Sequence, residues 1–195
     1  MVTTAPEPAL RFTELGGFGL RLRTWDEDDA DTALRGLNDP EFQHWNGAMA
    51  DVLDPAGVLK YIRSRAEGWE NGSQASYCIA DAATGAVLGH VGLHEIVYRM
   101  GHAGVGYWLM PEARGRGVAT HAVELCTRWA FEEVGLHRLE LGHALGNEAS
   151  CRVALRTGYQ PEGISRGGLP AKEPGTYFDM HVHARLATDP APAVA

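Results

Sequence analysis

A loop with two glycines and two arginines is the segment best suited to binding a phosphate. It reads Met110-Pro111-Glu112-Ala113-Arg114-Gly115-Arg116-Gly117-Val118-Ala119-Thr120 and joins an apolar strand to an amphipathic helix. Gly115 and Gly117 let the backbone turn tightly and approach a ligand closely, so that successive N–H groups and the helix N-terminus point at phosphate oxygens. Arg114 and Arg116 add positive charge. The loop therefore predicts a diphosphate site.

Two better-known phosphate loops do not fit this segment. A P-loop needs Gly, four residues and then Gly-Lys-Ser/Thr, and the loop has no lysine. A dinucleotide fingerprint needs a third glycine where Thr120 or its neighbour stands. The remaining alternative is a turn that only ends a strand and starts a helix.

The composition of the chain describes the domain that must position this loop. The chain has 195 residues, with 17 Lys+Arg, 25 Asp+Glu and a net charge of −8, which disfavours binding to a nucleic-acid backbone. Three cysteines at wide spacing fit a reducing compartment, and neither a membrane-length apolar stretch nor a secretion signal is present. We therefore expect a cytoplasmic domain over residues 11–186, between flexible ends at 1–10 and 187–195.

The periodicity of apolar residues places the secondary structure. Capping and helical spacing predict helices that start at the Thr24–Glu27 capping box, near Glu41, at Asp54-Pro55, after Gly117 and near Glu148. Strands come first and a strand–helix–strand unit follows, which predicts a single mixed α/β domain. Alternation predicts the strands 20–23, 76–81, 86–96, 103–110, 138–143 and 177–186.

The spacing Arg114-x-x-Gly117-x-Ala119, between a strand and a helix, resembles the acetyl-CoA pyrophosphate loop of the GCN5-related N-acetyltransferase (GNAT) family. Other segments resemble its RimJ/RimL branch of ribosomal-protein acetyltransferases: Leu20-Arg21-Leu22-Arg23, Gly106-Tyr107-Trp108, Asn147-x-x-Ser150, Gly158-Tyr159 and Asp179-x-x-Val182-x-Ala184. The resemblance implies an α/β (α+β) domain. Its twisted sheet would be mixed and mostly antiparallel, with one splayed strand pair and flanking helices.

The resemblance also implies acetyl-CoA as co-substrate. The pantetheine arm would pair with main-chain groups of the splayed strand, the loop amides would hold the pyrophosphate, and Arg152 or Arg156 would meet the adenosine end. Asn147 matches a pantetheine-binding asparagine, although it could simply cap a helix, and the two arginines could be solvated helix charges. The expected cofactor-binding residues are Trp108, Leu109, Met110, Arg114, Gly115, Arg116, Gly117, Val118, Ala119, Thr120, Asn147 and Arg152.

Acetyl transfer from a thioester to an amine needs a neutral amine, a stabilised oxyanion and a proton for the departing thiolate. The family resemblance implies a backbone N–H near Leu109 for the oxyanion. Many relatives use a tyrosine as the acid, but the matching position is Ala154. Ser150, which matches a serine of the Rim-type branch, becomes the expected acid, with a helix-capping role as the alternative.

The general base is less clear from the sequence. Relatives often carry a glutamate on the splayed strand about where Gly104 stands, and glycine accepts no proton. Glu95, His94 and His102 are the candidates within strand reach, and Glu95 is favoured because a carboxylate can act through an ordered water. A positioned amine with a modest neutral fraction could also react with little help.

Metal and covalent chemistry are not expected. His181 and His183 share one face of the last strand, yet no cysteine or acidic residue nearby in the sequence completes a ligand set at recognised spacing. Cys126 and Cys151 fall on apolar helical faces, where cysteine usually behaves as a small core residue. The sequence therefore predicts direct transfer without a metal or a covalent intermediate.

The acceptor is predicted less specifically than the cofactor. The resemblance suggests a protein N-terminal α-amine and a homodimer, with a small amine such as an antibiotic, an amino sugar or a nucleotide-like toxin as the main alternative. A module that binds acyl-CoA without transferring it is the third hypothesis. The acceptor site would use the early helices, the loop at His44–Gly47 and the region 162–177. The aromatic residues Trp45, Trp69 and Tyr177 lie in these segments, although packing in the core or at its rim is the more common role of a single aromatic residue. Glu162 would support the fold.

Overall fold

The computed structural model describes residues 10–46 and 54–194 and shows one eight-stranded sheet flanked by five α-helices among these residues. The strand order is β1-β2-β3-β4-β5-β6-β8-β7. The strands are β1 (Leu15–Gly17), β2 (Leu20–Arg23), β3 (Ala75–Asp81), β4 (Val87–Val97), β5 (His102–Leu109), β6 (Arg138–Ala144), β7 (Gln160–Pro170) and β8 (Tyr177–Leu186). The helices are α1 (Ala30–Leu37), α2 (Pro40–Trp45), α3 (Pro55–Asn71), α4 (Val118–Glu132) and α5 (Glu148–Arg156).

The parallel pair β5–β6 divides an otherwise antiparallel sheet. Its register joins His102 to Arg138, Ala103 to Leu139 and Gly104 to Glu140. Beyond these three residues, β5 and β6 no longer pair with each other. The strands therefore separate after three residues, and the second half of β5 borders a gap. The expected mixed, mostly antiparallel sheet with a splayed pair is confirmed.

Side-chain caps fix the starts of most helices. A capping box of Asp26 and Asp29 opens the turn that leads into α1, two residues later than the box expected at Thr24. Asp39 and Asp54 accept hydrogen bonds from first-turn amides of α2 and α3, each of which has proline at its first position. Asn147 caps α5 in the same way.

Trp69, one of the aromatic residues expected at the acceptor site, instead belongs to an aromatic cluster between the sheet and α4. Trp69 of α3 lies with its ring edge against Tyr77 and Trp129, at centroid distances of 5.1 and 5.6 Å, and its indole N–H donates to the Ser76 carbonyl. Phe12 covers Trp69 from the outside. Trp69 therefore stabilises the core and does not reach an acceptor.

The strands predicted by alternation begin and end within one residue of the observed ones, but β1 and β7 were not predicted. The sequence of β7 contains Pro161 and several glycines, and its side chains are almost all exposed, so it has no apolar alternation. It pairs only with β8, at the edge of the sheet, where a proline without an N–H is tolerated.

The chain beyond the expected domain end still contacts the sheet. The Ala187 amide donates to the His137 carbonyl, and the Asp189 carboxylate accepts from the Leu186 amide. Among the described helices, none is both long and apolar enough to cross a membrane.

Candidate active site

A cavity of about 490 Å³ opens where β5 and β6 separate. Six parts of the chain surround it: α2, the second half of β5, the glycine loop with the start of α4, the end of β6, α5, and Leu169 of β7. Most of the residues expected to bind the cofactor line this cavity, namely Trp108, Leu109, Arg114, Gly115, Gly117, Val118, Ala119, Thr120, Asn147 and Arg152. Met110 and Arg116 are not among the lining residues.

The start of α4 offers unoccupied backbone donors to the cavity. Gly115 and Gly117 have φ values of +70° and +78°, a left-handed conformation that costs glycine little. No side chain caps this helix and no acidic residue lies in its first turn, in contrast to the side-chain caps of α2, α3 and α5. Its N–H groups and dipole are therefore available to an anionic ligand.

Arg114 does not contribute a free positive charge to this loop. Its guanidinium pairs with the carboxylates of Asp39 and Glu41 in α2 and donates at 3.2 Å to the Leu109 carbonyl. Its charge is thus neutralised, and its contacts hold the loop against α2 and the end of β5. Arg116 is exposed and lies outside the cavity lining.

The hydrogen bonding of β5 decides which main-chain groups face the gap. The Met110 amide donates at 2.9 Å to the Leu88 carbonyl and is occupied by the sheet. Because successive N–H groups of a strand point to opposite sides, those of Trp108 and Met110 face β4, whereas those of Tyr107 and Leu109 face the gap. Of the three residues whose main-chain groups were expected to pair with the pantetheine, only Leu109 directs its N–H to the gap, and the second gap-facing N–H belongs to Tyr107.

A side-chain pair at the cavity wall includes a residue that the sequence did not single out for chemistry. The Tyr107 hydroxyl lies 2.7 Å from Ser150 Oγ, and both residues line the cavity. Burial raises the pKa of Tyr107 to about 12, so its hydroxyl stays protonated near neutral pH. The Ser150 amide also donates at 3.1 Å to Asn147 Oδ1, so Ser150 is both part of the helix cap and exposed to the cavity.

The three candidate general bases lie near the N-terminal half of β5. Glu95 is exposed, has a φ of +51° at a bulge in β4, and is not among the cavity-lining residues. The neighbouring His94 is likewise exposed and absent from the cavity lining, and its imidazole fills the space that a side chain at Gly104 would need. Desolvation lowers the pKa of His94, although the charge of Glu95 opposes this shift. His102 instead lies 3.5 Å from Glu140.

Two arginines of α5 line the cavity at the end distant from α2. Arg152 lies 3.5 Å from Glu148 one turn away, and this ion pair is exposed to solvent. Arg156 lines the same wall. Both guanidinium groups therefore remain close enough to the opening to meet a ligand that extends along α5.

An aromatic group stands at the opposite end of the cavity, beside α2. Trp45 lines the cavity, and the rings of His44 and Phe178 lie 4.3 and 5.9 Å from it. Phe178, on β8, was not predicted because only the fold brings it to α2. Tyr177 is exposed and absent from the lining, and Gly47 lies outside the described residues.

Two further side chains show structural roles. Glu162 accepts hydrogen bonds from Arg138 at 2.5 and 2.8 Å, as expected for a residue that supports the fold. Cys126 is fully buried, and burial raises the pKa of its thiol to about 12, which makes it a poor nucleophile.

The expectation that no cysteine lies near the His181–His183 pair is wrong. Cys151 and His143 join that pair because α5 crosses the strands β6 and β8. Cys151 is only half-buried and is not a core residue. Sequence spacing cannot show a group assembled from three separate elements.

A splayed strand pair beside a helix N-terminus without a side-chain cap provides a gap with main-chain donors that suit an anionic ligand. Comparison with known proteins identifies the family: the model of the acetyltransferase (GNAT) domain matches residues 19–160. The chain belongs to the GNAT acetyltransferase family. The prediction of an acetyl-CoA-dependent N-acetyltransferase is thereby confirmed.

Individual relatives agree with this assignment. The probable N-acetyltransferase YjcK of Bacillus subtilis is 31% identical over 179 residues, which cover 90% of this chain and 98% of YjcK. RimL, a ribosomal L7/L12 alpha-N-protein acetyltransferase in complex with coenzyme A, superposes with a TM-score of 0.81 at 20% identity, covering 89% and 98% of the two chains. The microcin C7 self-immunity acetyltransferase MccE, in complex with acetyl-CoA and AMP, gives 0.77 at 20% identity, with coverages of 87% and 93%.

We expect Gly117→Glu to weaken acetyl-CoA binding at least tenfold more than Gly117→Gln does, since tenfold corresponds to about 1.4 kcal/mol. Both variants place a side chain of the same shape at the same left-handed position, so their difference reports the carboxylate beside the start of α4. Calorimetry with acetyl-CoA measures the affinities, and circular dichroism checks the fold. Equal affinities of the two variants would show that the loop is only a connection between strand and helix.

Proposed function

We propose that the protein transfers the acetyl group of acetyl-CoA directly to the N-terminal α-amine of a protein or peptide. The observation that carries this proposal is the gap between β5 and β6, which leads from the uncapped start of α4 to the Tyr107–Ser150 pair. The gap gives a thioester one route through the domain. The aromatic group at Trp45 marks the end from which the amine arrives.

Binding of acetyl-CoA uses main-chain donors more than side-chain cations. The pyrophosphate accepts hydrogen bonds from the amides between Gly115 and Thr120, and the pantetheine pairs with the gap-facing main-chain groups of Tyr107. The Asn147 carboxamide oxygen is occupied by the helix cap, which leaves its N–H₂ group to donate. Arg152 and Arg156 reach the adenosine end.

The transfer passes through one tetrahedral intermediate. The neutral amine attacks the thioester carbonyl, and the new oxyanion accepts a hydrogen bond from the Leu109 N–H, which faces the gap. The C–S bond then breaks, and the thiolate takes a proton to leave as free coenzyme A. The amine attacks the thioester directly, so the transfer needs no acetylated enzyme, and the buried, high-pKa thiol of Cys126 is a poor nucleophile.

The Tyr107–Ser150 pair serves the leaving group. Tyr107 keeps its proton because its pKa is about 12, and it donates to Ser150 Oγ. This hydrogen bond directs the Ser150 O–H towards the departing sulfur. Ser150 thereby acts as the proton donor and takes a proton back from solvent, to which the base releases the proton of the amine. Tyr107 positions Ser150, in a fold where Ala154 is buried and offers no such group.

His94 is the proton acceptor that we propose for the amine. Its pKa lies below the ordinary value, so the imidazole is neutral near pH 7 and can accept a proton. Its ring borders Gly104 and Gly106, and Gly106 lines the cavity. Glu95, the expected base, then acts through its negative charge, which favours the protonated form of His94.

The aromatic group at Trp45, beside the cavity, and the similarity to RimL support the α-amine of a protein as the acceptor. The similarity to MccE, whose structure contains AMP, supports the small-molecule alternative. A non-catalytic acyl-CoA-binding module remains a third candidate, and turnover distinguishes it from both enzymes.

We expect short peptides with a free α-amine to accept the acetyl group, while the same peptides with a blocked N-terminus and an internal lysine do not. Mass spectrometry locates the acetyl group, and release of free coenzyme A thiol gives the rate. A parallel panel of amino sugars, polyamines and aminoacyl nucleotides tests the alternative. Acetylation only in that panel would refute the peptide acceptor, and binding of acetyl-CoA without turnover on any amine would refute transfer.

We expect His94→Gln to lower kcat/KM by about 10²-fold or more, in the range typical of general-base catalysis. The fall of kcat/KM towards acid pH should disappear with the imidazole, because protonation of His94, whose pKa lies below its ordinary value, causes that fall. The Glu95→Gln variant lacks the negative charge that raises the pKa of His94, so its fall of kcat/KM should occur at a lower pH. An unchanged pH profile in His94→Gln would exclude His94 as the base.

We expect Tyr107→Phe to lower kcat with little effect on the KM for acetyl-CoA, because the lost hydroxyl only directs Ser150. Since Tyr107 acts through Ser150, the double variant with Ser150→Ala should be no slower than Ser150→Ala alone. Steady-state kinetics of the four proteins gives this cycle. Additive losses in the double variant would mean that Tyr107 acts independently of Ser150.

A further inference from the structure

Four side chains with metal-ligating atoms meet where α5 crosses β6 and β8. His143 on β6 lies directly opposite His181 on β8, and His183 follows two residues later on the same face. Cys151 of α5 lies over them. The four ligand atoms, one from each residue, all lie within 4.8 Å of one another.

The three distances from His183 Nε2 to the other ligand atoms of this His/Cys cluster are close to the edges of a tetrahedron around a metal ion. Nε2 of His183 lies 3.2 Å from Nε2 of His143 and 3.3 Å from Nδ1 of His181. Zinc–nitrogen bonds of about 2.0–2.1 Å put two nitrogens about 3.4 Å apart at the tetrahedral angle. The Cys151 sulfur, 3.9 Å from Nε2 of His183, needs to move by only a few tenths of an ångström to reach the corresponding sulfur–nitrogen edge of about 3.5 Å.

Hydrogen bonds alone do not account for the arrangement around His183, whose side chain is fully buried. A ring nitrogen carries either one hydrogen or one lone pair in the plane of the ring, and thus makes one good hydrogen bond. Nε2 of His183 nevertheless has two ring nitrogens and a sulfur as neighbours. A cation at the centre would satisfy all four groups at once.

The surroundings of His143 support the same interpretation. Nδ1 of His143 lies 3.0 Å from the Ala144 carbonyl, to which it can donate a hydrogen. Such a bond leaves Nε2 with its lone pair directed at the cluster, which is the arrangement usually found in metal-binding histidines.

We propose that His143, Cys151, His181 and His183 bind one Zn²⁺ ion in a closed tetrahedral site. Three imidazoles and a thiolate suit zinc among the common divalent cations, and a full set of four protein ligands is typical of structural sites. Binding replaces the S–H bond of Cys151 by an S–Zn bond and releases one proton to solvent. The ion joins α5 to the sheet next to Ser150, so it sets the position of the proton donor without entering the reaction.

This site departs from the expectation that the protein uses no metal. That expectation was based on the absence of a nearby cysteine or acidic residue in the sequence, whereas the fold supplies Cys151 from α5. The proposal is independent of the acetyl acceptor and of the base, since it concerns only the four ligand residues.

Cobalt(II) titration of untagged, chelator-treated protein tests the site. We expect one Co²⁺ per chain, with the intense visible bands of a tetrahedral site and a near-ultraviolet thiolate-to-cobalt band. Cys151→Ser should abolish the near-ultraviolet band, and His181→Ala should weaken Zn²⁺ affinity, measured by competition, by more than about tenfold. Both side chains are partly exposed, so both variants should fold, which circular dichroism checks.

His137→Ala is the matched control, because His137 is exposed and lies outside the cluster. It should bind Co²⁺ as the wild type does. Loss of the spectrum in this variant too, weak octahedral-type bands in the wild type, or equal Zn²⁺ affinity in His181→Ala and wild type would each overturn the proposal. Zn²⁺ should also raise the melting temperature of the wild type and of His137→Ala but not that of His181→Ala at the same metal concentration.

Discussion

The separation of β5 from β6 after three parallel residue pairs is the constraint on which the site depends. A continuous sheet would occupy the main-chain groups of Tyr107 and Leu109 with β6 and would leave no room between the strands. Because the pairing stops at Gly104, the N–H groups of Tyr107 and Leu109 are not paired with β6, and the ends of both strands open onto one cavity. The glycine loop follows the end of β5, and the first turn of α5 follows the end of β6. Both the start of α4 and the Asn147–Ser150 turn therefore border the cavity between the two strands.

The charge distribution around the opening follows from this geometry. A protein with a net charge of −8 attracts an anionic cofactor only locally, and here the local attraction comes from the backbone of α4. Arg114, the most evident cation in the loop, is neutralised by Asp39 and Glu41 and stiffens the loop instead. On the buried side of α4, Glu124 pairs with Arg185 of β8 at 2.7 Å, which fixes the helix axis relative to the strands.

The sequence predicted the parts of the molecule that local pattern determines. Alternation located six strands, and two glycines located the loop, because both signals lie within a few neighbouring residues. Tyr107, Phe178 and the His/Cys cluster could not be predicted, since their partners are set by strand register and by the path of α5. His94 was one of three candidate bases in the sequence, but its position opposite Gly104 depends on the pairing of β4 with β5. The edge strand β7 carries no burial signal, so its sequence resembles a loop.

The contact between His94 and the bare backbone of Gly104 couples the evolution of these two positions. A side chain introduced at 104 collides with the imidazole, while a small residue at 94 leaves neither position with a group that accepts protons. Neither single replacement is neutral, so the effects of the two are strongly non-additive. A histidine at position 94 and a longer side chain at position 104 therefore compete for the same space beside β5.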